Sequence, residues 1–254
     1  MYKLLVFQHL DREGPGLFFE IASEKNINLE IIRVDMGQDI PYLDNFDGLI
    51  VLGGPMGVRD LSSDNYDWLN QEVQVIKEAL IRDLPFIGVC LGSQLLAYAA
   101  GGNVETLRSR DSRQEASPEV GWGEVHLSGV FDENDSLMDH FKEPLDVLHW
   151  HGDRVLLPEM ATLLCSSQHC AEQLFRINKK AYGLQFHAEL EDQDVYRLIE
   201  EDAAFINLAF GDNGQSILRD QQAVFGKSSR VRRHKFLLAL FEKLWPASFY
   251  STSS

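Results

Sequence analysis

Short apolar runs alternate with stretches whose apolar residues recur at helical spacing, most clearly over the first hundred or so residues. Lys3 to Gln8, Leu29 to Val34 and Gly48 to Leu52 read as strands. About Gly16 to Ser23 reads as a helix. Asp64 to Arg82 is amphipathic, with Trp68, Leu69, Val73, Ile76 and Leu80 on one face. Pro85-Phe86-Ile87-Gly88-Val89 is led by proline, as at the start of a buried strand. Leu91, Leu95, Leu96 and Ala99 then recur at helical spacing until Gly101-Gly102 ends the helix. This order predicts a parallel sheet with right-handed crossovers. Ligands of such sheets bind beyond the carboxyl ends of the strands.

From Val104 to Phe186 the pattern changes. Gly123 to Leu127, Val147 to Trp150, Thr162 to Ser166 and Leu174 to Ile177 alternate like antiparallel strands, and Tyr182 to Phe186 is a further apolar run. About Asp192 to Ala209 reads as helix, Gly211 to Gly214 as a break, and about Val231 to Leu244 as a last helix stopped by Pro246. The Ser-rich end, 251 to 254, reads as frayed.

With 254 residues, 44% of them hydrophobic, the chain can bury a large core without disulfides. The expected division is one α/β domain over 1–205 and a helical extension over 206–254 packed on it. A formal net charge of −16 repels nucleic acid and anionic membrane, so neither is expected as a partner. The one basic cluster, Arg230 to Lys235, reads as the solvated side of a helix. The three cysteines, Cys90, Cys165 and Cys170, are odd in number. No signal-peptide pattern precedes the first strand and no apolar run is long enough for a bilayer. Free thiols in the cytoplasm are therefore expected.

Cys90 stands at the turn from an apolar strand into a helix, with Gly88 and Gly92 two residues away on either side. A buried core cysteine is the plainer interpretation. The spacing, however, is that of a nucleophile elbow with cysteine for serine. The helix N-terminus favours a thiolate there. The Leu91 N–H, without a partner in the helix, can face a developing oxyanion. In Val-Leu-Gly-Gly-Pro-Met-Gly, residues 51–57, the Gly53-Gly54-Pro55 run is either an ordinary tight turn or a place where backbone donates a second such hydrogen bond. A thiolate needs a base and an orienting group. His187 ends an apolar run and Glu189 lies two residues on, on the same side of an extended segment. Glu189 can then hold the imidazole tautomer, or it can merely belong to the acidic start of the next helix. Cys165, His169 and Cys170, with His149 and His151, match no standard zinc spacing, so no metal centre is expected.

Taken together, Gly-Val-Cys-Leu-Gly-Ser-Gln at 88–94, Gly53-Gly54-Pro55 and His187-Ala188-Glu189 resemble the class I, or triad, glutamine amidotransferases. The resemblance covers about residues 1–200. Glu-Val-Gly-Trp at 119–122, His-Trp-His-Gly-Asp at 149–153 and Tyr-Gly-Leu-Gln-Phe-His at 182–187 look like the GMP synthase-like branch. One position departs: Ala188 stands where the family has proline, which would fix the backbone between base and orienter.

The resemblance implies a flavodoxin-like α/β fold: a mostly parallel central sheet flanked by helices, a small antiparallel sheet and C-terminal helices. It implies that Cys90 attacks the side-chain amide of glutamine, and that Gly54 and Leu91 hold the oxyanion. His187 transfers protons, oriented by Glu189. Gln94 would position substrate, or simply be a polar residue facing out of its helix. Trp150, His151 and Asp153 would hold the α-amino and α-carboxylate groups, with Asp153 otherwise a turn residue. No cofactor is implied. Most relatives feed ammonia to a synthetase, for which the chain has no room and no P-loop. The expectation is therefore a glutaminase acting alone or with a separate synthetase. The alternatives are a γ-glutamyl peptidase-type cysteine hydrolase and a catalytically silent regulatory relative.

Overall fold

Residues 1–109, 115–128 and 135–246 are described by a computed structural model. The frayed end expected at 251–254 lies outside them. The chain begins β1 (Lys3–Gln8), α1 (Leu17–Glu24), β2 (Asn28–Arg33), β3 (Gly48–Val51), α2 (Asp67–Ile81), β4 (Phe86–Val89) and α3 (Leu91–Ala99). It continues through β5 (Asn103–Thr106), β6 (Glu119–Leu127), β7 (Leu145–His151), β8 (Asp153–Leu156), β9 (Ala161–Ser166), β10 (Leu174–Ile177) and β11 (Ala181–Leu184). Helices α4 (Asp192–Glu201), α5 (Ala203–Phe210) and α6 (Gly214–Leu244) complete it.

A nine-stranded sheet runs β2-β1-β3-β4-β11-β10-β9-β6-β7. Its first five strands are mutually parallel: β1 to β4 as the strand–helix alternation predicts, joined by β11 from late in the chain. The other four join antiparallel, and β5 and β8 form a separate small antiparallel sheet. Side chains alternate across the strands. Leu4 and Val6 of β1 pack with α1 and the end of α6 on one face. Leu5 and Phe7 pack with α2 and α3 on the other. Among the described residues, no helix is long and apolar enough to cross a membrane.

Three elements differ from the sequence reading. The segment 192–209 is two helices, parted at Asp202, whose carboxylate accepts the Trp150 indole N–H at 2.9 Å. The last helix begins at Gly214 rather than Val231 and spans 31 residues. Beside Leu218, its buried positions before the last apolar stretch are Gly214, Gln222, Gly226, Ser229 and Arg233, small or polar residues that carry no hydrophobic signal. On α2, Leu69, Val73 and Ile76 are buried as expected, and so is Glu72; Trp68 and Leu80 sit at the margin.

Candidate active site

The parallel strands β3, β4 and β11 end together, and the loops leaving them meet. Cys90 is the junction between β4 and α3. Its backbone has φ +48°, a conformation a non-glycine residue adopts only under constraint. The constraint comes from packing: a Cβ at Gly88 would lie 2.4 Å from the Gly92 carbonyl oxygen, and a Cβ at Gly92 would lie 2.0 Å from that of Val51. The Cys90 N–H donates to the Leu184 carbonyl at 2.7 Å, tying the elbow to β11. The thiol is buried, with Sγ 3.7 Å from the Trp150 carbonyl oxygen.

His187 follows β11 by three residues. A two-way backbone bridge with Leu148 fixes it, the His187 N–H donating at 2.8 Å and the Leu148 N–H at 3.1 Å. This bridge brings β7, at the sheet edge, back against the end of β11. His187 Nδ1 lies 2.7 Å from Glu189 Oε1, and both residues are buried. Burial pulls the imidazole pKa down, but the Glu189 carboxylate and the hydrogen bond with Cys90 outweigh it and raise it well above 6.5. His187, Glu189 and Cys90 are thus buried together and interact electrostatically.

Ala188 is fully buried, and its backbone is held from outside the loop. Arg233 of α6, 2% exposed, donates from Nη1 to the Ala188 carbonyl at 2.8 Å and to the Leu190 carbonyl at 2.9 Å. Its Nε donates to Ser229 Oγ at 3.1 Å. The guanidinium supplies from a distance the restraint that a proline at 188 would build into the chain. Reading residues 230–235 as a solvated face thus fails at Arg233. Arg230 also departs from it, pairing with Glu191 at 2.6 Å. On the other side of the loop, Gly16 has φ +44°, and a Cβ there would lie 2.1 Å from the Glu189 carbonyl oxygen, itself bonded to the Leu17 N–H at 2.8 Å.

A pocket of about 390 Å³ opens on Cys90, within the range of about 300–1,000 Å³ usual for small-molecule sites. Cys90, Gly54, Gln94, Trp150, Asp153 and Glu13 are among its lining residues. Gly54 is crowded: a Cβ would meet His9 Cβ at 2.9 Å and Leu91 Cδ2 at 3.3 Å. Leu91 heads α3; after it the Gly92 N–H donates to the Leu52 carbonyl at 3.2 Å and the Ser93 N–H to the Cys90 carbonyl at 3.1 Å. Gln94 is buried rather than facing outward, and its Nε2 donates to Gln185 Oε1 at 3.3 Å. Asp153 pairs with Arg59, which also donates to Thr106 Oγ1 at 3.0 Å. The ring of His151 is engaged elsewhere: Nδ1 donates to the Asp153 carbonyl at 2.9 Å, and Nε2 lies 3.1 Å from Glu119 Oε2.

Two buried acids escaped the sequence reading. Glu13 comes close to His187, for a Cβ at Gly53 would meet Glu13 Oε2 at 2.3 Å and His187 Cε1 at 2.8 Å. Burial raises its pKa, against the pull of His187 and Arg12. Glu72 holds His9 from behind, both carboxylate oxygens 3.1 Å from Nε2, while Nδ1 donates to the Gly53 carbonyl at 2.8 Å. That chain of contacts steadies the Gly53-Gly54 turn. Nothing in the periodicity marks either acid: Glu13 lies between the first strand and the first helix, and Glu72 in a helix read for its apolar residues. Cys165 and Cys170 are buried away from the pocket, and burial pushes the Cys170 thiol up to about 12.

The site thus sets a cysteine on a strand-to-helix elbow beside a histidine–carboxylate pair in an α/β protein. Residues 19–200 match the family model "Glutamine amidotransferase class-I", and the chain belongs to that family. It is 31% identical over 194 residues to the glutamine amidotransferase-like protein YfeJ of Salmonella typhimurium, covering 76% of this chain and 77% of that one. It is 24% identical to γ-glutamyl peptidase 3 of Arabidopsis thaliana over 82% of each chain. It is 32% identical over 152 residues to a GMP synthase of Bacillus licheniformis, 58% of this chain but 25% of that protein. A solved glutamine amidotransferase from Thermotoga maritima superposes with a TM-score of 0.79 at 29% identity, over 96% of this chain and 97% of the other.

Proposed function

We propose that the chain hydrolyses the side-chain amide of glutamine through Cys90, His187 and Glu189. The observation that carries the reading is the 2.7 Å His187–Glu189 bond behind a cysteine that is held on a strained elbow and lines the pocket. Cys90 Sγ attacks the amide carbon. The oxygen that gains charge is held by the Leu91 and Gly54 N–H groups. His187, protonated and oriented by Glu189, gives its proton to the amide nitrogen, and ammonia leaves. The γ-glutamyl thioester remains on Cys90. Water then adds, giving a proton to His187, the C–S bond breaks, and glutamate departs. Gln94, Trp150, His151 and Asp153 border the substrate: Gln94 and Asp153 through side chains, Trp150 and His151 through the strand they carry past Cys90. In this reading residues 206–254 extend a domain that ends near 205, and the ammonia goes to a separate synthetase or into solution.

A second reading is favoured by the match to γ-glutamyl peptidase 3 over 82% of both chains. The same steps cleave a γ-glutamyl peptide bond, with an amine leaving in place of ammonia. Rates of glutamate release from glutamine and from a γ-glutamyl dipeptide decide between them. Faster release from glutamine supports the glutaminase, and preference for the dipeptide replaces it with the peptidase. Absence of both activities in a protein whose Cys90 stays unreactive would defeat either reading.

A further inference from the structure

We propose that Glu119, His149 and His151 form a site for a divalent transition-metal ion of the zinc class, on the face of β7 opposite its helices. The inference is independent of the amide chemistry. In the β6–β7 ladder, Glu119 stands opposite His151, and Gly121 opposite His149. Residues 149 and 151 share one face of β7. Leu148 and Trp150 take the other, packed on α4, α5 and α6. The Glu119 carboxylate therefore sits between two imidazoles. Its Oε2 is 3.1 Å from His151 Nε2 and 3.7 Å from His149 Nδ1. Ligands at zinc–ligand distances of about 2.0–2.1 Å in a tetrahedron stand roughly 3.3–3.4 Å apart, between those two separations. The three ligand atoms all lie within 4.8 Å of one another.

The surroundings of the two rings fit metal ligation. A carbonyl only accepts, so His151 carries its proton on Nδ1, toward the Asp153 carbonyl. In the neutral ring the Nε2 lone pair then faces the carboxylate, which is the way a metal-binding histidine is oriented by its second nitrogen. His149 gives the independent observation. Its ring is 3% exposed, neither nitrogen makes a well-formed hydrogen bond among the described residues, and its polar neighbours are the Glu119 carboxylate and the Gly123 backbone. A ring buried with both nitrogens unpaired is costly. A cation on Nδ1 relieves that cost. Gln173 Nε2 donates to Glu119 Oε2 at 2.6 Å and orients the carboxylate, as outer partners of metal ligands do.

An entry path exists. A surface pocket lined by Ser117, Glu119, His149, Ser167 and His169 reaches the cluster and leaves room for a water as fourth ligand. The site also bears on the neighbouring chemistry. Leu148 bridges His187 and the Trp150 carbonyl faces Cys90, so a metal at 149 and 151 braces the strand that both reactive groups lean on.

The test uses the Cys90→Ser chain, so that the reactive thiol cannot take the metal. The protein is stripped with a chelator and titrated with Co²⁺, then with Zn²⁺. One equivalent of Co²⁺ should bind, with visible absorption of tetrahedral strength and no thiolate charge-transfer band, and Zn²⁺ should displace it. Zn²⁺ should also raise the midpoint of thermal unfolding. His149→Gln and Glu119→Gln in the same background should each abolish the cobalt spectrum. His234→Ala, in the surface cluster with Glu20 and Glu24, should leave it intact. The proposal is overturned by no stoichiometric binding, by a thiolate band, or by an unchanged spectrum in His149→Gln. If His149→Gln fails to fold, Glu119→Gln and the parent's own spectrum decide the matter. An imidazolium–carboxylate pair with no affinity for metal would appear as the first of these negative results.

Discussion

Replacing Arg233 by methionine should leave the protein folded and its reactive site loose. The guanidinium is the shared donor to the carbonyls of Ala188 and Leu190, which flank Glu189. Removing it leaves two buried acceptors without that donor, at about 1–3 kcal/mol each. Against this stands the cost of burying the charge. Burial lowers the Arg233 pKa from 12.5 to about 10, which corresponds to roughly 3 kcal/mol. Methionine relieves that cost and fills much of the space. The two effects largely cancel, so the net loss of stability should stay below about 3 kcal/mol. The loop geometry has no such compensation. A displacement of about 1 Å in catalytic groups can cost about 100-fold in rate. The assay is the second-order rate of Cys90 alkylation by iodoacetamide, beside the rate of glutamate release and the urea unfolding midpoint. Arg233→Met should lose ten- to a hundred-fold in both rates. A double variant, Arg233→Met with Ala188→Pro, should recover part of the loss. Wild-type rates in the single variant would refute the idea that α6 holds the base and its orienter in place.

Two further predictions concern buried charge. Because the His187 pKa is raised, its contribution to stability is fully present below the ordinary 6.5 and is lost as pH rises through the raised value. Glu189→Gln should flatten unfolding free energy against pH across that window and slow glutamate release; an unchanged pH profile would show that Glu189 does not hold the charge. The raised Glu13 pKa has the same sign: its contribution is present below 4.5 and is lost as pH rises through the raised value. Glu13→Gln should therefore be more stable than the parent at neutral pH, with the gain vanishing on acidification to about 4.5. A gain that persists at low pH, or none at neutral pH, would contradict a buried, strained acid.

The parallel half of the sheet was legible in the sequence because each strand is a bounded apolar run and each helix shows a buried stripe. Cys90, His187 and Glu189 were legible for a related reason. An elbow between two glycines and a histidine two residues from an acid are local patterns, and the fold brings their two segments together. What escaped depends on long-range contacts. The first half of α6 buries Gln222, Gly226 and Ser229, so it has no apolar stripe to read. Gly226 is a glycine because Gln222 Nε2 and Asp192 Oδ1 would lie 2.3 and 2.8 Å from any Cβ there, a fact of packing and not of propensity. Arg233 looked like one charge in a basic run, and only the docking of α6 on the 188–190 loop gives it a task. Asp153 was visible as a turn residue, but its partner Arg59 is 94 positions away.

The central claim is that Cys90 forms an acyl bond to the γ-carbonyl of the substrate. Incubation with glutamine, rapid acid quenching and peptide mapping by mass spectrometry test it directly. The account predicts a γ-glutamyl adduct on the peptide containing Cys90, absent in Cys90→Ser and lost on treatment with hydroxylamine. Glutamate release without such an adduct, or an adduct on Cys165 or Cys170 instead, would contradict it.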